Sequence, residues 1–150
     1  MASSVFQNVR AALAALIVAR LATDGTTDVT VSEYEPRGEV SREDRVWISR
    51  IRIDQEPLAM GGVSRKVAET VSIDLSVWAP RSGADLDDQK LAEQRAELIF
   101  ASVENAVRAD NTVGGTVMFA DIESFESVPD YTEAGAEGRI TAVITAEANL

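Results

Sequence analysis

The chain has 150 residues, 45% of them hydrophobic, and carries a formal net charge of −11 with a pI near 4.4. That is one domain's length, with enough apolar material for a core and an acidic surface that repels duplex nucleic acid. There is no Cys and no His, which excludes disulfides, thiolate zinc sites, Cys nucleophiles, Ser-His-Asp triads and His-ligated metals.

Ser4 with Gln7 matches a capping box, and Val5, Val9, Leu13, Leu16 and Ile17 recur at helical spacing. They predict a first helix over about 4–22, ended by Asp24-Gly25. Its apolar run "AALAALIVA" (11–19) lies between Arg10 and Arg20, short of the roughly 18–20 uninterrupted apolar residues of a bilayer span. "RLATDG" follows it where a secretory signal would place a small-residue cleavage site. An amphipathic helix of a soluble domain is therefore expected, with no membrane partner.

"DVTVSEYE" (28–35) alternates and predicts a short strand, followed by a charged loop over 35–45 broken by Pro36 and Gly38. "RVWISRIRID" (45–54) predicts a second strand, in which Val46 and Ile48 share one face while Ile51 and Ile53 fall on the other. A bulge near Ser49 would explain the slip. After a second loop, "RKVAETVSIDLSVWAP" (65–80) sets Val67, Val71, Ile73, Leu75 and Val77 on one face and Lys66, Thr70, Ser72, Asp74 and Ser76 on the other. Burial on one side is the mark of an antiparallel sheet.

Asp85 predicts a helix cap, with Asp87 and Asp88 in the first turn of a helix over about 86–109. Leu91, Leu98, Ile99, Ser102 and Ala106 form its expected inner stripe. Asn111 and Gly114-Gly115 mark the exit, and two strands follow, at about 115–128 and 138–149. The expected fold is a single α+β domain over 1–150. It has two layers: a mostly antiparallel sheet of about five strands, with two helices packed on one face.

Charge divides the chain. Residues 1–79 hold 11 acidic and 9 basic residues, and residues 80–150 hold 14 acidic and 5 basic. Arg45, Arg50, Arg52 and Arg65 belong to a basic middle, while Asp121 to Glu137 contains six carboxylates and no Lys or Arg. "DLDD" (85–88) lacks the length, turn Gly and distal Glu of an EF-hand loop and reads as a helix cap. Asp121 and Glu123, two apart on a strand, would share a face. They read as a solvated or interface-facing strip, since only Trp47 and Trp78 could contribute to a sugar-stacking cleft. No phosphate-binding glycine motif is present. No catalytic residue, cofactor or metal site is expected. The loop "DQEPLAMGGVSRK" (54–66) places Leu58 and Met60 beside Gly61 and Gly62; it suits a docking loop as well as a hairpin tip.

Five segments together resemble the tail terminator (tail completion) proteins of long-tailed, siphovirus-type bacteriophages. They are "VFQNVRAALAALIVARLA", "KVAETVSIDLSVWAP", "LAEQRAELIFASVENAVRAD", "NTVGGTVMFADIESFE" and "GRITAVITAEANL". The likeness lies in order and texture, without a diagnostic motif. It implies a structural virion protein, not an enzyme, made in the host cytoplasm and located in the tail or neck. It also implies a homo-oligomeric ring, a hexamer in that family. Such a ring caps the tail tube, stops its polymerisation and joins the tube to the head-tail connector protein. DNA would pass through the lumen without specific binding. Under this resemblance Arg45, Arg50, Arg52 and Arg65 on one copy would face Glu123, Glu126, Asp130 and Glu133 on the next. Asp121 and Glu123 would line the lumen, and the loop at 54–66 occupies the position of a hairpin that contacts neighbouring tail components. A head-tail connector or head-closure (neck) protein, and a tail-tube subunit, remain alternatives.

Overall fold

The structure is a computed structural model that describes residues 2–37, 42–57 and 67–148. Helix α1 (Ala2–Asp24) leads into strands β1 (Val29–Ser32), β2 (Asp44–Pro57) and β3 (Val67–Pro80). Helix α2 (Leu86–Ala109) follows, then β4 (Val117–Ser127), β5 (Asp130–Thr132) and β6 (Gly135–Ala148). The strand order is β1-β2-β3-β6-β4, with β5 paired to β6. Both helices cover one sheet face, as the composition of the strands implied. Two details depart from expectation. β5 is an additional short strand, and β1 pairs with β2 in parallel. Parallel pairing obliges the chain to travel back to the start of its neighbour, which is why a long charged connection separates the two.

The slip in β2 is a bulge. Its register with β3 shifts between Ile48 and Arg50. Val46, Ile48, Ile51 and Ile53 pair with Val77, Leu75, Ile73 and Val71, all on the helix-facing side of β3, so the extra residue returns both halves of β2's apolar set to the core. Val71, Ile73, Leu75 and Val77 are fully or almost fully buried, with Val9, Leu13 and Ile17 of α1 and Ile144 of β6. Each such side chain contributes roughly 1.5–3 kcal/mol.

α1 begins at Ala2, so Ser4 lies within the helix rather than at its cap. By length and hydropathy, Val5–Asp24 could cross a membrane. Here Val9, Leu13, Ile17 and Leu21 pack into the core, and Arg10 donates to the carbonyls of Ile48, Ser49 and Glu33. The opposite face of α1 is exposed yet also apolar: Ala11, Ala15, Val18, Ala19 and Ala22.

α2 starts where expected, with Asp85 and Asp88 forming a reciprocal capping box. Its buried stripe includes the expected Ile99, Ser102 and Ala106 and corrects the expectation for Leu91 and Leu98. Ala92, Ala96, Ile99, Phe100, Ser102, Val103, Ala106 and Val107 face inward, whereas Leu91 and Leu98 are about half exposed. The cause lies in β6. A Cβ on Gly138 would stand 2.1 Å from the carbonyl oxygen of Ala92, so α2 lies almost on the strand's backbone and only small residues fit between them.

Polar brackets fix the ends. Asp44 receives Arg81 at 3.3 Å and Arg95 at 2.8 Å, and Arg95 also donates to the Thr27 carbonyl. Ser102 donates to Asp24 at 2.8 Å, tying α2 to the end of α1. That bond, with Arg20 beside it, lowers the pKa of Asp24. The Thr112 hydroxyl and the amides of Gly114 and Thr112 likewise lower that of Asp110. An acid with a depressed folded-state pKa adds stability that is complete above its unfolded value, about 3.9, and is lost as pH falls through the folded value. The melting temperature should therefore be flat from neutral to mildly acidic pH and drop below about pH 4. Asp24→Asn combined with Asp110→Asn should lower it at neutral pH and reduce the acid-induced drop, as read from circular-dichroism melts. An acid-induced drop of unchanged size would contradict these roles.

Candidate assembly surface

Opposite the helices, no element among the described residues covers the sheet. The registers align Trp47, Ser76, Thr141 and Glu126 in one row, and Arg50, Asp74, Val143 and Ser124 in the next. A third row holds Arg52, Ser72, Thr145 and Asp121. The face is thus Ser/Thr-rich, as its sequence implied, and sorted by charge: arginines at the β2 side, carboxylates at the β4 edge. A shallow hollow of about 480 Å³ spans from Arg50 to Glu126 over the middle strands.

The arginines differ in availability. Arg50 pairs with Asp74 at 3.2 Å and Arg52 with Asp54 at 3.2 Å, both solvent-exposed pairs. Pairs this exposed contribute about 0–1 kcal/mol and are readily exchanged for other partners. Arg45 pairs with Glu43 at 2.6 Å, and its side chain is only 11% exposed, which leaves little of it for a neighbour. The carboxylates Asp121, Glu123, Glu126, Asp130 and Glu133 are all exposed, and none has a cationic partner among the described residues. Arg65, Leu58, Met60, Gly61 and Gly62 lie outside the described residues.

Asp121 and Glu123 do not follow simple alternation. The β4–β6 register shifts twice, between Met118 and Asp121 and between Ile122 and Ser124. Asp121 and Ser124 pair with Thr145 and Val143, on the open face. Glu123 is the residue inserted by the second bulge, so it has no register partner on β6. Asp85 and Asp88 serve the cap of α2.

Sequence reasoning missed Phe119. It is 66% exposed and adopts φ 54° at the first bulge, flanked by exposed Met118 and Asp121. The available signal was "VMFA" (117–120), an unbroken apolar run in a strand whose neighbours alternate. The exposed apolar face of α1 was missed as well: the helix was expected to be amphipathic, yet Ala11, Ala15, Val18, Ala19 and Ala22 face outward.

No family model matches this sequence, and no curated protein matches it. Among solved structures it is similar to a chain from the virion of a native gene transfer agent particle. The identity is 13% and the TM-score 0.51, over 88% of this chain and 90% of that one. At that identity the likeness is one of fold: the two-layer arrangement described above is shared along nearly the whole length of both chains.

Proposed function

We propose that this chain is a structural subunit of a tailed, phage-like virion and acts there as the tail terminator. Copies close into a ring, with six subunits in the family it resembles. The ring caps the tail tube, stops its growth and meets the head connector. The observation that carries the virion part of this reading is the fold shared, over 88% of this chain, with a chain of a gene transfer agent virion; the terminator role rests on the resemblance of the five sequence segments. Two surface features support it. Opposite charges stand at opposite sides of one sheet face, as a head-to-tail contact requires, and the outer face of α1 is apolar, as befits a helix covered in an assembly. Negative-stain electron microscopy of the purified chain should show closed rings. Long tubes would assign it to the tail tube instead.

The carboxylates of β4 have a second role in this reading. A passage walled by unpaired negative charge repels phosphates and lets DNA slide without sticking. Particles carrying Asp121→Lys with Glu123→Lys should assemble but eject their DNA poorly, measured by nuclease accessibility after triggering. Normal ejection would remove the lumen role.

A further inference from the structure

Resting on the ring reading, we infer that Phe119 is the anchor of the contact between copies, seated against the β2 side of the neighbouring subunit. Three observations converge on it. First, the backbone at Phe119 is strained. A bulky residue at φ 54° occupies a conformation usually left to Gly or Asn. It is held there because the Ala120 amide donates to the Asn111 carbonyl at 2.7 Å and Ala120 is buried beneath the bulge. Such strain persists where function requires it. Second, the ring itself is exposed, so within one copy its apolar surface has no cover among the described residues. Burying the ring in a neighbour would cover that surface. Third, its surroundings select the partner. Phe119 is followed by Asp121 and Glu123, which form no ion pair among the described residues, and the matching cations, Arg50 and Arg52, stand on β2 across the sheet. Beyond Trp47, where β1 ends, β2 has no neighbour strand on its outer side among the described residues. Along that edge Ile51 and Ile53, on the helix-facing side of β2 and packed against the core, are only half-buried. A knob on one side and its seat on the other make a contact that propagates head to tail, the geometry that closes rings.

The chain's lack of cysteine permits a direct test. Asp54→Cys with Asn111→Cys places one thiol beside each half of the contact. Treated with a short bis-maleimide, the double variant should give a ladder beyond dimers, and either single variant at most dimers. Adding Phe119→Ala should abolish the ladder and weaken self-association about thirtyfold or more in sedimentation velocity. Phe119→Gly should also abolish it, yet leave the melting temperature of the monomer unchanged or a few degrees higher, because the strain is relieved. A ladder that survives Phe119→Ala overturns the anchor while leaving the edge contact standing. Absence of a ladder from a chain that still forms rings overturns the contact but spares the ring. A chain that stays monomeric at millimolar concentration overturns both. A loss of stability in Phe119→Gly as large as that of a core truncation would make Phe119 a residue of the fold and not of the contact.

Discussion

Gly138→Ala should lower the melting temperature by roughly 10 °C, equivalent to about 3 kcal/mol for a domain of this size, and Gly138→Val should prevent folding at ordinary temperatures. The added Cβ would meet the carbonyl oxygen of Ala92 at 2.1 Å, its carbonyl carbon at 2.5 Å and the amide nitrogen of Glu93 at 2.9 Å. All three are backbone atoms of α2, so no side chain can rotate aside. Relief requires the whole helix to lift from β6 by about an ångström, opening gaps around Ala92, Ala96 and Ile99 in a core packed as densely as a crystal. Against a total stability of about 5–15 kcal/mol, that is a large fraction. Calorimetry decides. A melting point within two or three degrees of the parent would mean that α2 does not ride on the strand as described.

Arg50→Glu with Arg52→Glu should convert rings to monomers on sizing chromatography while leaving the melting temperature of the subunit nearly unchanged. Within one copy both arginines form exposed pairs, with Asp74 and Asp54, that contribute little to folding. Across a contact with Asp121, Glu123 and Glu126, reversal sets like charges together in a partly desolvated gap, at a cost of several kcal/mol. Added salt should weaken assembly of the parent chain for the same reason. The compensating reversal, Glu123→Arg with Glu126→Arg, should restore rings in the doubly reversed protein. Rings that persist in Arg50→Glu/Arg52→Glu would remove these residues from the contact.

Much of the fold was legible in the residues because it rests on local rules. Alternation in β3 named its buried face, the slip in β2 located the bulge at Ser49, and Asp85 placed the start of α2. What escaped depends on the approach of distant segments. Helical periodicity defines a stripe on α2 but not its rotation. That rotation is set by Gly138, which admits Ala92 and Ala96 to the strand and turns Leu91 and Leu98 outward. The parallel placement of β1 depends on where the long connection returns the chain, which no local pattern records. On the candidate assembly surface the charges were legible as clusters, and the structure sets Arg50 and Arg52 at one side of a sheet face and Asp121 and Glu126 at the other. The bulges of β4 were not legible; the first is clamped by a backbone bond from Ala120 to a turn nine residues earlier. The exposure of Phe119 and the unpaired register position of Glu123 both follow from those bulges.

Location in the particle tests the central claim most directly. Gold-labelled antibody against this chain, applied to intact virions and to isolated tails under the electron microscope, should mark one point only: the head-proximal end of the tail, on both preparations. Label along the length of the tube, on the capsid shell, or confined to empty heads with isolated tails bare would contradict a terminator ring.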